Sequence, residues 1–372
     1  MLKITSNIQR SPMLPITLFN HRSNKQTIRE MAMLFIGIDM HQRKWQITIR
    51  DEAKVIWRGS IPGTWEDLRK LLVRYRGYRM RAVYEAGCFG FWLHDNLKEY
   101  GVECIVTPPS LLPMEYGNKV KTDRRDSDKL AQLLAKDLLK SVYVPSKEEV
   151  LHRQALRQRI QMVKDRVRMQ NRIKSILRLF GLGVPAIRAS FSRTYISNLR
   201  HVNFGDRFYQ KSFNLLLDQY ELITELIKQQ TRLINEMAKL PQYRERVEIL
   251  TSTKGIGLLS AMEIILELQD MSRFPKREQI AAYVGLTPSQ HSTGDHVRMG
   301  RITGIGKPHL RGTIVEISWT LIRYYPNERE FYFKLKPRVG SKRAIVAVAR
   351  RFIIKVRHML LTNTPYRMRV AG

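Results

Sequence analysis

Hydrophobic positions recur along this chain with changing rhythm, and each change marks a new stretch. Leu34 to Asp39 is a short apolar run ending in a carboxylate, and Trp45 to Arg50 and Lys54 to Ser60 have strand-like composition, so three consecutive strands are expected. After Gly63, the residues Trp65, Leu68, Leu71 and Leu72 fall at helical spacing. Met80 to Glu85 then reads as a fourth strand, again closing on an acid, followed by a helix from about Phe91 to Tyr100 and a fifth strand, Glu103 to Thr107. Pro108-Pro109 ends that strand, and a loop bearing Gly and Pro leads to Lys121-Thr122-Asp123, where a helix starts and runs to about Lys140. The order is three strands, helix, strand, helix, strand, helix.

From Leu151 to Phe180 the pattern becomes one long amphipathic helix, with Leu156, Ile160, Val163 and Val167 at alternating four and three spacing. Gly181-Leu182-Gly183-Val184-Pro185 breaks it, and a second heptad-like stretch carries Leu216, Tyr220, Ile223, Ile227, Ile234 and Met237. Two such helices suggest an antiparallel arm. Gln170 and Lys174 interrupt the first stripe and Gln230 the second, which leaves a projecting coiled coil and an ordinary helical core equally open. Beyond Pro241 the chain changes again: Gly255-Ile256-Gly257 opens an apolar helix, Tyr283 to Pro288 follows, then a Gly- and His-rich stretch, and Lys342 to Leu361 closes as a basic helix. The expected boundaries are an extension over 1–32, a first domain over 33–147, a basic helical arm over 148–245, a further domain over 246–335 and a basic helix and tail over 336–372.

Composition adds a partner. Lys and Arg total 65 against 33 Asp and Glu in 372 residues, a formal charge of +32, and a polyanion is the simplest relief of such self-repulsion. Nucleic acid is the first candidate. The 151–180 helix alone carries nine Arg and Lys against the single acid Asp165, and Lys121, Arg124, Arg125, Arg157, Lys164, Arg168 and Arg172 are the expected contacts in the first half of the chain. An anionic membrane surface is the disfavoured rival, since no run approaches the ~20 apolar residues of a spanning helix and the basic residues are spread over several segments. The first thirty or so residues lack the apolar run and cleavage site of a signal peptide and read as a flexible arm. Cys88 and Cys104 are too few for a disulfide framework or a zinc site, look like small buried apolar positions, and fit a reducing cytoplasm.

The chemistry rests on carboxylates. Asp39 and Glu85 end or nearly end strands, so adjacent strands of one sheet could present both at one edge, while Asp123 and Asp126 stand three apart at a helix start and share a face. Asp128, two residues further, lies away from that face. Converging carboxylates repel unless cations sit between them, and hard oxygen donors select Mg2+ or Mn2+, which can activate a nucleophile and stabilise the leaving oxygen of a phosphodiester. Singly, each acid reads as a turn residue, a strand-end charge, a helix cap or a solvated position. Their arrival in the order a strand-built nuclease site requires, within a basic chain, favours the metal site.

With these residues the chain resembles the DEDD transposases of insertion-sequence family 110, whose first domain is a RuvC-like member of the ribonuclease H superfamily. The likeness covers nearly everything after Met33, and its anchors, specific only in their order, are Ile36-Gly37-Ile38-Asp39, Tyr84-Glu85-Ala86-Gly87, Lys121-Thr122-Asp123-Arg124-Arg125-Asp126, Gly255-Ile256-Gly257, Gly285-Leu286-Thr287-Pro288 and Gly300-Arg301-Ile302-Thr303. The resemblance implies an α/β first domain with a mixed five-stranded sheet, a long helical region and a mainly α C-terminal domain. It implies a metal site of Asp39, Glu85, Asp123 and Asp126, and a C-terminal hydroxyl nucleophile for DNA strand exchange. It also implies guidance by a structured RNA that pairs with target and donor DNA, in a homo-oligomer, dimer or tetramer, whose subunits share the site.

The chain departs from the family at the nucleophile. A serine is expected immediately before a glycine, shortly after the Gly-Leu-Thr-Pro string, whereas here Gln290-His291-Ser292-Thr293-Gly294 puts Thr293 in that slot. Either Ser292 serves with a small loop shift, or Thr293 supplies a more hindered hydroxyl, or the run is a turn that bonds its own backbone. Gly304 also stands where relatives often carry lysine, with Lys307 near enough to replace the charge. Arg298, Arg301, Lys307, His309 and Arg311 suit a scissile phosphate or its neighbours, and equally a generic basic surface. His291 reads as a base or a phosphate contact. Gly255-Ile256-Gly257 suits backbone contact with phosphate, or tight packing of two helices. The competing functional readings are a resolvase or nuclease that only hydrolyses, and a non-catalytic nucleic-acid-binding protein.

Overall fold

A computed structural model describes residues 33–112, 123–182, 191–293 and 296–366; within these, residues 123–125 and 290–299 are described as backbone alone. The extension expected over 1–32, and Lys121, lie outside the described residues. The chain divides into two compact units, the first ending at Val144 and the second opening at Pro145.

In the first unit the elements are β1 (Met33–Met40), β2 (Lys44–Arg50), β3 (Val55–Pro62), α1 (Trp65–Val73), β4 (Arg79–Glu85), α2 (Trp92–Glu99), β5 (Glu103–Thr107) and, after a 3-10 turn, α3 (Asp123–Ala135). One sheet holds all five strands in the order β3-β2-β1-β4-β5. β1 runs antiparallel to β2 and parallel to β4, and β4 runs parallel to β5, so the sheet is mixed. Alternation along β1 divides its side chains between two covered faces, which is why the strand reads as a continuous apolar run. Leu34, Ile36 and Ile38 join Ile47, Ile49, Ala82 and Tyr84 under α1 and α2, whose Leu68, Leu71, Leu72, Leu93 and Leu97 complete that core. Phe35 and Val83 on the opposite face pack with Leu130 and Leu134 of α3.

Gly37 is the hinge of this second layer. A Cβ on Gly37 would stand 2.0 Å from the Ser127 carbonyl oxygen and 2.7 Å from the Ala131 nitrogen, so the α3 backbone lies directly on the strand. Rotation of the helix is set by its neighbours: the Ser127 hydroxyl is 3.0 Å from that of Thr48, and Asp128 accepts from Arg50 at 3.4 Å and Arg58 at 2.5 Å. Asp128 therefore fastens α3 to β2 and β3. The loop after β4 corrects one expectation: Cys88 is exposed, because it follows Gly87 in a turn rather than entering the core, while Cys104 on β5 is half-buried and burial pushes its thiol up to about 12.

The second unit opens with α4 (Lys147–Leu179), whose Ser146 and Glu149 form a reciprocal capping box. At 33 residues it is about 50 Å long. After α5 (Arg193–Arg200), α6 (Arg207–Met237) returns antiparallel to it. Arg159 donates to the Thr231 hydroxyl at 2.7 Å, Gln230 to the Ala155 carbonyl at 3.0 Å and Gln170 to the Tyr220 hydroxyl at 3.3 Å. Two of the residues that interrupt the apolar stripes are thus cross-links between the helices. At the far end Ile173, Leu177, Tyr195, Leu199, Phe213 and Leu217 form a small core of their own, whereas Leu156 and Ile234 at the base enter the main core of the unit. The arm and the domain after it share one hydrophobic core.

That domain comprises α7 (Pro241–Thr251), α8 (Leu258–Leu268), α9 (Arg277–Val284), a hairpin of β6 (Pro288–Thr293) and β7 (His296–Ile302), then α10 (Pro308–Tyr324), α11 (Pro326–Val339) and α12 (Ser341–Thr362). The closing basic helix buries one face, through Ala344, Val348, Phe352, Ile353 and Val356, and is structural as well as charged. No helix among the described residues is long and apolar enough to cross a membrane.

Substituting Gly37→Ala should lift α3 off β1. Because the obstructing atoms are backbone and cannot rotate away, we expect a loss of about 3 kcal/mol or more, the upper end of overpacking costs, measured as a lowered urea midpoint of the full chain. An unchanged midpoint would show that α3 is not held against the strand.

Candidate active site

Sheet register brings the first two acids together. β1 and β4 pair in parallel up to Ile38 opposite Tyr84, so the next position in that register sets Asp39 beside Glu85. Asp39 shares a strand face with Phe35 and Gly37, and Glu85 shares one with Val83, so both acids project from the face that carries α3. Asp39 is partly buried and Glu85 exposed. The imidazole of His41 lies 3.1 Å from an Asp39 oxygen and is itself exposed. Beyond Glu85, the backbone is tied back: Ala86 N–H donates to the Thr107 carbonyl at 2.8 Å, and the Tyr84 hydroxyl donates to the Gly90 carbonyl at 3.1 Å. Burial holds the Tyr84 phenol well above its usual range, so it remains a donor.

The third and fourth acids arrive on α3. Phe35 packs with Leu130 and Leu134, while Gly37 meets Ser127 and Ala131, so the helix runs antiparallel to β1 and a further step along the strand faces its first turn. That turn begins with Asp123 and contains Asp126, which is partly buried. The side chains of Asp123, Arg124 and Arg125 lie outside the described residues. Among the described residues no three His, Cys, Asp or Glu side chains form a group that could hold a metal. The donor chemistry of Asp39, Glu85 and Asp126 nonetheless fits a hard divalent cation, since all three offer carboxylate oxygens.

The second expected site lies in the other unit. Ser292 and Thr293 are the last two residues of β6, paired with Val297 and His296 of β7, so both stand at the turn of the hairpin. Their side chains, and those of His291 and Arg298, lie outside the described residues. The base of the hairpin is closely packed. Gly285 adopts φ +83° where a Cβ would stand 2.1 Å from the Ile305 carbonyl oxygen, and Arg311 donates to the Val284 and Ile305 carbonyls at 3.4 and 3.5 Å. Arg311, expected on DNA, joins the two ends of the hairpin, whereas Arg301 on β7 is exposed.

The basic residues of α4 divide in the same way. Lys164, Arg168 and Arg172 form an exposed row four residues apart, with Arg168 also paired to Asp165. Arg157 instead turns inward, donating to both oxygens of Glu267 at 2.6 and 2.7 Å. Lys307 stands 4.0 Å from the same carboxylate and over the Tyr283 ring at 5.6 Å. Burial alone would raise the Glu267 carboxyl, but Arg157 and then Lys307 outweigh it and hold it below the usual carboxylate range. Glu263, one turn earlier on α8, is also buried and accepts from the Thr313 hydroxyl at 2.8 Å, with the His309 imidazole 2.5 Å away. The sequence analysis missed this acid pair. Its signal was two glutamates four apart in a helix otherwise apolar except for Ser260, a spacing that puts both on one face.

Family models and curated relatives match the chain over most of its length. A family model described as a transposase, DEDD_Tnp_IS110, matches residues 36–181, and one described as Transposase IS116/IS110/IS902 family matches residues 247–333. A putative transposase of Sinorhizobium fredii is 26% identical over 325 residues, covering 86% of this chain and 76% of its own. The transposase for insertion sequence element IS1111A of Coxiella burnetii is 23% identical and covers 95% of each chain. A pilin gene-inverting protein of Moraxella bovis is 24% identical over 152 residues, 40% of this chain and 46% of its own.

Glu267→Gln should destabilise the chain by about 1.5–3 kcal/mol at neutral pH, the usual worth of a hydrogen bond to a charged group. Since the folded carboxyl titrates below its ordinary range, the wild-type advantage is complete above that range and lost as pH falls through the lowered folded value. Urea unfolding of both proteins from pH 7 down to about 3 measures it, the two stabilities converging at the acid end. A gap that persists or widens in acid would refute the assignment.

Proposed function

This chain belongs to the IS110 family of DEDD transposases, and from that premise we propose that its two units cut and rejoin DNA by a two-part mechanism: a carboxylate site on the first unit and a hydroxyl on the β6–β7 turn of the second. The observation that supports the first part is the register that sets Asp39 beside Glu85 on the face covered by α3, whose first turn carries Asp123 and Asp126. Asp39, Glu85, Asp123 and Asp126 would hold Mg2+ or Mn2+, which when bound supplies charge stabilisation at the attacking and leaving oxygens of a phosphodiester. His41 orients the Asp39 carboxylate by its contact at 3.1 Å.

In the second part the oxygen of Ser292 or Thr293 attacks the scissile phosphorus. An oxygen-phosphorus bond to protein forms as the bond to one strand end breaks, the hydroxyl proton leaves, and the departing strand oxygen takes up a proton. The ester keeps the energy of the broken bond, so a second strand end can displace the protein without ATP. Arg301 on β7 and the exposed row Lys164, Arg168 and Arg172 would hold backbone phosphates of element-end DNA, target DNA and a structured guide RNA. The hydroxyl and the carboxylates that act on one phosphate come from different copies of the chain, in a dimer or tetramer. A hydrolytic nuclease would use the same carboxylates with water and form no ester.

Asp39→Ala and Glu85→Ala should each lower recombination by more than about a hundredfold, as should removal of divalent metal by EDTA. Denaturing gels of the wild-type chain incubated with element-end DNA and its RNA should show a covalent protein-DNA species, which either Ser292→Ala or Thr293→Ala, made separately, removes. Cleavage without any such species would replace the proposed nucleophile by water, and full activity in the carboxylate variants would remove the catalytic reading altogether.

A further inference from the structure

Apart from the carboxylates and the hairpin, one cavity carries the marks of a binding site. It holds about 200 Å³ between α7, the end of α8 and the end of α12. The buried residues that line it form a floor: Gln269, only 4% exposed, with Ile265 and Met271 beside it. The exposed ones, Asp270, Leu361 and Asn363, form a mouth, with Arg246 half-buried at its rim. Gln269 bears two costs that nothing within the chain offsets. Its backbone sits at φ +58° and ψ −127°, a conformation that glycine adopts freely and a longer residue does not. Its amide is buried, yet among the described residues neither Nε2 nor Oε1 has a hydrogen-bond partner. Leucine would fill the same space without leaving polar atoms unpaired.

Buried amides are almost always satisfied, so a donor and an acceptor side by side call for an occupant that offers the complementary pair. Water is the ordinary remedy, and the cavity has room for about six molecules. Its walls disfavour water alone, because Ile265, Met271, Leu360 and Leu361 give such a cluster few partners. Charge disfavours an anion. Arg246 is the one cation among the described residues lining the cavity, and Asp270 stands at the same mouth. Hydrogen bonds from Ser272, and then Arg246, hold the Asp270 carboxyl below the usual range, so the two charges oppose each other there. What fits is a neutral, flat group with apolar faces and an edge on which donor and acceptor are neighbours. A nucleobase has that form: unpaired, it exposes such an edge, and its faces suit aliphatic side chains and the plane of a guanidinium.

We propose that this cavity receives a single unpaired nucleobase of a bound DNA or RNA strand, its edge paired with the Gln269 amide and its faces against the apolar walls, with Arg246 at the rim. The proposal rests on the nucleic-acid reading given above and extends it. The exposed cations of α4 and β7 meet backbone, whereas this contact takes up a base that has left its stack.

The experiment titrates the full chain, in EDTA so that no strand is cut, with single strands of about 12 nucleotides, as DNA and as RNA, and with abasic strands of the same charge. Gln269→Leu should weaken binding of the base-bearing strands about fivefold or more, the low end of what one seated base contributes, and leave the abasic strands unchanged. Whichever of DNA and RNA loses affinity is the source of the base. The same variant should keep or raise the thermal midpoint, since it removes unpaired polar atoms from the interior. Leu361→Trp closes the mouth with the amide intact, and gives the same loss should Gln269→Leu fail to fold. Irradiation of a strand carrying 5-iodouracil should join it to the peptide that contains Met271, and less so in Gln269→Leu. Unchanged affinity in both variants would overturn the proposal, and a lowered midpoint with unchanged affinity would overturn it in favour of enclosed water. A wild-type chain that binds none of the strands would strike the nucleic-acid reading itself, whereas equal binding of base-bearing and abasic strands would strike this cavity alone.

Discussion

The closeness of one helix to one strand governs the first unit. Gly37 has no side chain, so the backbone of α3 rests on β1, and the Ser127–Thr48 hydrogen bond and the Asp128 ion pairs to Arg50 and Arg58 fix the helix in rotation. Everything the carboxylates can do together depends on that docking. The sheet alone delivers Asp39 and Glu85, because neighbouring parallel strands end at the same level. Asp123 and Asp126 belong to a different layer, and only a helix lying antiparallel to β1 and in van der Waals contact with it brings its first turn over the same strand end. Leu130 and Leu134 provide the apolar driving force for that layer, and the glycine provides the distance.

The second unit solves a different problem, how to mount a short ribbon and a row of cations on a strongly charged chain without losing its core. Glu263 and Glu267 enter the apolar helix α8 and are met there by Arg157, Lys307, His309 and Thr313. Buried acids of this kind are costly unless fully partnered. Here the partners are Arg157 of α4, Lys307 between β7 and α10, and His309 and Thr313 of α10 itself, so the same pairs that settle the acids also tie the basic arm, the end of the hairpin and α10 to α8. Positive charge is thereby sorted. Arg157 and Arg311 become internal fasteners, and Arg168, Arg172, Lys164 and Arg301 remain at the surface where a polyanion can reach them.

Much of this was legible from residue patterns. The eight elements of the first unit follow directly from runs that alternate or recur every three to four positions and from turn residues between them, and the placement of Asp39 and Glu85 at strand ends needed only the strand boundaries. That the sheet is mixed and five-stranded came from the family resemblance, and the strand order β3-β2-β1-β4-β5 only from the structure, because periodicity says nothing about which strands are neighbours. The hairpin of Pro288–Thr293 and His296–Ile302 was read only as a Gly- and His-rich stretch: its strands are short and mostly polar, so they give no long apolar alternation to read. Cys88 was misplaced for a related reason. A cysteine after Ala86-Gly87 looks like a small core residue, and only the turn that begins there shows that it faces solvent.

The residues that the pattern could not sort were the charged ones. Gln170 and Gln230 looked like flaws in a coiled-coil stripe, yet each donates across the α4–α6 interface, which is what a polar residue in an apolar seam is suited to do when a partner is in reach. Arg157 and Arg172 are indistinguishable as letters in a basic helix, and differ because Glu267 lies opposite one and solvent opposite the other. Burial of a guanidinium is decided by an acid more than a hundred residues away in sequence, so no local rule could have told them apart. Charge in this chain has two uses, fastening and presentation, and internal acids help to separate them: Arg157 is tied to the scaffold by Glu267 and Arg50 by Asp128, while Lys164, Arg168, Arg172 and Arg301 face outward. A chain with fewer such acids would have a larger unpaired positive surface and a weaker frame on which to hold it.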